Sequence, residues 1–123
     1  MKSPHQGAQR ILKAFVYSAS GFKQAFQSEA AFRQDLLFCA VLFVLALLLP
    51  LGFLEKLLMI GALVLVLLME LVNTVIETVV DRISPDFHGL SKKAKDIGSL
   101  LVLISFLNVV LIWGAILVHS FCF

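Results

Sequence analysis

The sequence predicts an all-α membrane protein, with three transmembrane helices preceded by an amphipathic helix on the membrane surface. Three observations carry this reading. The chain has 123 residues, 60% of them hydrophobic and only 15% charged, whereas soluble domains hold about a quarter charged residues. Leu36 to Leu54 carries no charge, and Ile97 to Val118 is interrupted only by Ser99, Ser105 and Asn108. Each run is close to the ~20 residues that cross a hydrocarbon core. The basic residues are also unevenly spread. Lys2, Arg10, Lys13, Lys23 and Arg33 precede the first run, and Arg82, Lys92, Lys93 and Lys95 separate the second from the third. Only Lys56 follows the first run, and no Lys or Arg follows the third. This bias places the N terminus and the 82–96 loop in the cytoplasm and the C terminus outside.

The elements follow in order within one membrane domain, 1–123. Residues 8–26 form the surface helix: Ile11, Leu12, Phe15, Val16, Ala19, Phe22 and Phe26 fall within an arc of roughly 140°. Arg10, Lys13 and Tyr17 lie on the other side, an arrangement suited to the bilayer interface. No signal peptide is expected, because the first 35 residues contain no early apolar core. In "SEAAFRQD" (28–35), Ser28 is an N-cap candidate for the first span, 31–54, and Glu29 suits its helix dipole. Glu29 and Arg33 are also four apart and able to pair. Pro50 and Gly52 mark the outer end of this span, with Glu55 and Lys56 in a short turn. The second span, 57–83, stops before Ser84, which precedes Pro85. "SPDFHGL" makes the loop, and Ser91 is a cap candidate for the third span, 91–119. Cys39 and Cys122 have no metal or redox spacing, and no repeat or low-complexity tract is present.

The second span is the unusual one. Leu57–Met69 is apolar or small throughout, yet "MELVNTVIETVVD" (69–81) then places Glu70, Asn73, Glu77 and Asp81 on a helix. With Glu70 at 0°, Asn73 falls at about 300°, Glu77 at about 340°, Asp81 at about 20° and Thr74 at about 40°. These five side chains share one stripe over roughly 16 Å of axis. Ionisable residues in a span face protein or water and point to function. Asn73 and Thr74 alone would serve as hydrogen-bonding glue between helices. Two Glu in one stripe repel, and need a cation, a proton or a basic side chain between them. Mg²⁺ is one candidate, since it takes one or two protein carboxylates together with phosphate oxygens. Glu70, farther from the loop than Glu77, is placed to accept a proton from a hydroxyl. Glu77 is nearer the side from which a phosphate-bound metal would arrive. The chain has neither GxxxxGK[ST] nor GxGxxG, and Lys92, Lys93 and Lys95 are its only concentrated cations for phosphates.

"ELVNTVIETVVD" (70–81), "AAFRQ" (30–34) and "AKDIGS" (94–99), in this order and at these intervals, resemble the prokaryotic integral-membrane diacylglycerol kinase family. The likeness runs from Arg10 through Trp113. It implies a homotrimer in the bacterial inner membrane, with its C terminus in the periplasm and with sites shared between subunits. It implies transfer of the γ-phosphate of ATP, with Mg²⁺, to diacylglycerol. The lipid, ATP and the bilayer are the partners; nucleic acid is not expected. By the same resemblance Glu70 is the general base, and Glu29 and Glu77 are metal ligands. Arg10, Tyr17, Glu29, Glu77, Asp86, Phe87, His88, Lys95 and Asp96 would surround the nucleotide. Arg10, Ala14, Ser18, Ala31, Phe32, Arg33, Gln34, Asp35, Lys56, Glu70, Asn73, Ser99 and Trp113 would surround the lipid and the base. Metal and lysine would stabilise charge on the transferring phosphoryl group.

Val75, Leu100 and Leu101 stand where the family usually has small residues, and Ala19 and Phe26 where it commonly has Trp. An undecaprenol kinase has the same catalytic core, but relatives of that kind carry more polar residues where this chain has Ala30-Ala31-Phe32-Arg33-Gln34. A proton or cation pathway along the stripe would leave "SEAAFRQD" and the 82–96 loop without a purpose. A purely structural subunit would not need two buried Glu.

Overall fold

The computed structural model describes residues 7–123; Lys2, counted above for topology, lies outside the described residues. Four helices follow one another: α1 (Ala8–Ser28), α2 (Ala30–Leu48), α3 (Phe53–Ile83) and α4 (Gly89–Cys122). Among the described residues there is no strand. The last three helices are long and apolar enough to cross a membrane.

The helix ends differ from the sequence expectation at several places, each for a local reason. α2 stops at Leu48 and not at 54, because Leu49 is extended (ψ 144°) ahead of Pro50, whose ring crowds the helical conformation of its predecessor. Lys56 Nζ donates to the Leu47 carbonyl at 2.8 Å, satisfying one acceptor left over at that helix end. α3 then begins at Phe53, so Glu55 and Lys56 lie in its first turn and not in a connecting turn. α3 ends at Ile83, where Ser84 is extended before Pro85. His88, not Ser91, caps α4: its Nδ1 accepts from the Leu90 amide at 3.0 Å, and the helix starts at Gly89. α4 runs on to Cys122, past residue 119.

The elbow between α1 and α2 is a single residue. Glu29 is extended (φ −113°, ψ 103°). Its amide donates to the Ala25 carbonyl at 2.9 Å, and its own carbonyl accepts from the Arg33 amide at 3.2 Å. Ser28 is the last residue of α1 and donates its hydroxyl to the Gln24 carbonyl at 2.8 Å; it does not cap α2. Arg33 does not pair with Glu29 either. Its Nη1 donates to the Phe26 and Gln27 carbonyls at 2.6 and 3.1 Å. A cation there meets the unpaired carbonyls and the negative end of the helix dipole together.

α3 is the central helix, packed mainly on α4 and also on α2. The core gathers toward the Pro50 end: Cys39 and Ala46 from α2, Met59, Ala62, Leu63 and Val66 from α3, Val109 and Trp113 from α4. Trp113 Nε1 donates to the Met59 carbonyl at 3.1 Å, which removes the one polar cost of burying an indole. Phe38 and Phe106 bring α2 and α4 together, with ring centroids 5.8 Å apart. At the other end of α3, Val75 and Val79 are more than half exposed, so one chain leaves that part of the helix open on one side.

Candidate active site

The polar stripe lies on this less covered half of α3. Two hydroxyls, that of Thr74 in the stripe and that of Thr78 beside it, are spent on the helix itself: Thr74 donates to the Glu70 carbonyl at 3.1 Å, and Thr78 to the Thr74 carbonyl at 2.7 Å. Such back-bonding satisfies a hydroxyl within its own helix. The stripe therefore reduces to Glu70, Asn73, Glu77 and Asp81.

Glu70 is the buried member, only 7% exposed. The side chain of Asp35, from α2, is within hydrogen-bonding reach of it, and Glu77 and Glu29 lie within electrostatic range. Asp35 Oδ2 is itself buried and has no hydrogen-bond partner among the described residues. Two carboxyl groups this close in a medium of low dielectric suit a place where a proton or a cation is handled. One turn along, Asn73 Nδ2 donates to Glu77 Oε1 at 3.3 Å, which orients that carboxylate. Glu29 and Glu77 are half-buried. The elbow conformation puts Glu29 at the junction of α1 and α2, within reach of α3 charge although it is forty-one residues from Glu70 in sequence.

Glu29 and Glu77, both half-buried, are the carboxylates that could hold Mg²⁺, an ion that needs only one or two protein carboxylates and keeps phosphate oxygens and water as its other ligands.

The α3–α4 connection forms an open groove lined by Asp81, Asp86, His88, Ser91, Lys95 and Asp96. Lys95 Nζ meets Asp81 Oδ1 at 2.7 Å, and Lys92 Nζ meets Asp96 Oδ2 at 2.6 Å. Phe87 is 83% exposed at its rim. This gathers five of the residues singled out for a nucleotide: Asp86, Phe87, His88, Lys95 and Asp96. Asp81 and Ser91 join them. Asp81 had a visible signal, its place on the stripe; Ser91 stood out in the sequence only as a helix cap.

The remaining candidates divide. Ser18 lines a groove between α1 and α3, opposite Leu71, Thr74 and Val75. Arg10, Ala14 and Tyr17 are exposed on α1, as are Ala31 and Gln34 on α2 and Ser99 on α4. Phe32, 2% exposed, stands edge-on to Phe22 with centroids 5.7 Å apart, so within one chain it packs α1 onto α2. Arg33 holds the end of α1. Lys56 and Trp113 lie toward the Pro50 end, and within one chain they are not brought to Glu70. Met59, which Trp113 contacts, is eleven residues or roughly 16 Å up the helix from Glu70.

The fold and site thus define a small helical membrane protein with one buried carboxyl group, Glu70, in its central span, further carboxyl groups near it, and a charged groove at the end of that span. The family described as prokaryotic diacylglycerol kinase matches residues 16–117. A diacylglycerol kinase of Pseudomonas aeruginosa is 45% identical over 111 residues, 90% of each chain. One of Escherichia coli strain K12 is 40% identical over 115 residues, 94% of each. One of Helicobacter pylori is 42% identical over 109 residues, covering 89% of this chain and 85% of the relative. The chain belongs to the prokaryotic diacylglycerol kinase family, and it is a kinase.

Proposed function

We propose that the chain transfers the γ-phosphoryl group of ATP to the free hydroxyl of diacylglycerol, giving phosphatidic acid and ADP. The observation that carries this is Glu70: a buried carboxylate within a membrane span, beside Asp35, in a chain whose relatives are named diacylglycerol kinases. A group at that depth can meet a hydroxyl that never leaves the bilayer. Glu70 accepts the hydroxyl proton, the lipid oxygen bonds to the γ-phosphorus, and the bond from that phosphorus to the β,γ-bridging oxygen breaks. The electron pair departs on ADP. Glu77, oriented by Asn73, and Glu29 would hold Mg²⁺ on the phosphates, where the ion would offset the charge of the transferring group. Asp86, Phe87, His88, Lys95 and Asp96, with Arg10 and Tyr17, would position the nucleotide. Arg10 would also face the lipid, together with Ala14, Ser18, Ala31 to Asp35, Asn73 and Ser99.

The basic residues favour a cytoplasmic N terminus and α3–α4 loop, with the C terminus in the periplasm of an inner-membrane protein. The one-sided apolar arc of α1 favours a helix lying in the interface. The open side of α3 beyond Glu70 supports a homotrimer whose sites are completed by a neighbouring chain. The test is purified protein in mixed micelles with radiolabelled ATP and Mg²⁺, offered diacylglycerol and undecaprenol separately. Label in phosphatidic acid alone is expected. Label only in undecaprenyl phosphate would replace the substrate, and label in neither would end the reading.

A further inference from the structure

Gly98 sits on α4 where that helix passes the polar stripe, and it is buried. A methyl group added at this position would collide with Asn73 Oδ1. The next atoms it would meet are Asn73 Cγ and Ile76 Cδ1, both at 3.5 Å, an ordinary contact distance. The obstruction is thus the end of one side chain, the amide that orients Glu77. Asn73 Oδ1 is buried and has no hydrogen-bond partner among the described residues, while its Nδ2 donates to Glu77 Oε1 at 3.3 Å. An unpartnered carbonyl oxygen packed against a glycine Cα has only a weak C–H···O contact available. Its place is therefore determined by the absence of a side chain opposite it.

From this we infer that Gly98 is a positioning residue for phosphoryl transfer: it leaves the space in which the Asn73 amide can stand with its N–H toward Glu77. Any larger residue turns the amide away and frees the Glu77 carboxylate. The inference rests on the proposed role of Glu77 at the phosphates. It also separates function from folding. The colliding atom ends a two-torsion side chain that can yield, and alanine is the better helix former, so the substitution disturbs the amide while the helices stay packed.

The experiment compares Gly98→Ala, Asn73→Ala and the double variant in micelles, with Glu77→Gln alongside. Thermal unfolding followed by circular dichroism is expected to show Gly98→Ala at least as stable as the parent. Its half-saturating Mg²⁺ is expected to rise about tenfold, the order of one lost hydrogen bond to a charged acceptor. Adding Gly98→Ala to Asn73→Ala should then change little, within about twofold, because the collision is gone. The Asn73 side-chain amide signal in a ¹⁵N spectrum, assigned by its loss in Asn73→Ala, should move in Gly98→Ala whether or not turnover is measured. An unmoved signal, multiplying effects in the double variant, or a Gly98→Ala protein that no longer folds would overturn the inference. Should Glu77→Gln leave the Mg²⁺ titration unchanged while the Asn73 signal moves as expected, the metal role of Glu77 falls and the positioning by Gly98 stands.

Discussion

Replacing Glu70 by Gln tests the proposed proton-accepting role, because the new side chain has nearly the same volume and reach. At 7% exposure the site is buried, yet an isostere opens no cavity there, and it removes one negative charge from beside Asp35. The fold should hold. If Glu70 takes the hydroxyl proton, turnover falls by the usual contribution of a general base, about 10²–10⁴-fold, or about 2.7–5.4 kcal/mol on the barrier. Nucleotide affinity behaves differently. The groove proposed for the nucleotide lies around Asp81 and Lys95, and Asp81 is eleven residues or roughly 16 Å along α3. Removing a unit charge at that distance, with an effective dielectric near 20, changes the energy of each net charge on the nucleotide by about 1 kcal/mol. The change is favourable to an anion, and salt reduces it. Two net charges on MgATP make about 2 kcal/mol before screening, and salt removes most of it over this distance, so ATP should bind Glu70→Gln as well as the parent or up to about fivefold more tightly. The assay is equilibrium binding of a fluorescent or radiolabelled nucleotide beside lipid phosphorylation, in the same micelles. If affinity falls in step with turnover, Glu70 holds the metal and is not the base. If neither changes, it is a packing residue.

Three further outcomes follow from particular contacts. Mixing Glu70→Gln subunits with Glu29→Gln subunits should restore activity well above the sum of the two preparations, if a site takes residues from two chains; no recovery after verified subunit exchange would place both groups in one chain. Trp113→Phe removes the bond to the Met59 carbonyl and should cost about 1 kcal/mol of stability with the lipid KM unchanged. A raised KM without loss of stability would instead put Trp113 against the lipid. Arg33→Ala removes the clamp on Phe26 and Gln27, so amide hydrogen exchange around residues 26–31 should quicken about fivefold as phosphorylation slows. Unchanged exchange would show that Arg33 does not hold the elbow.

Much of the architecture was legible because a bilayer leaves few options. A span must satisfy its backbone within itself, so uncharged runs read as helices, and Pro85 marked the end of α3 correctly. The phase of Glu70, Asn73, Glu77 and Asp81 was legible for the same reason, since the period of a helix is known in advance. Where local side-chain chemistry competed, the ends moved: His88 displaced Ser91 as a cap, and Arg33 went to α1 carbonyls and not to Glu29.

How the helices face one another was not legible. From Leu36 to Leu48 α2 is apolar on all sides, and in lipid that pattern names no inward face, because the surroundings are as apolar as the core. Only the tertiary structure could bring Asp35 beside Glu70, Trp113 to a carbonyl fifty-four residues away and Lys95 to Asp81. The same holds for Gly98, which reads in sequence as a weak point in a helix. It becomes a device for orienting Asn73 only once α4 lies against the stripe. The sequence determined which side chains share one helix, because helical periodicity is local. Packing decided which helices those side chains meet, because that depends on steric fit between surfaces that hydrophobicity does not distinguish.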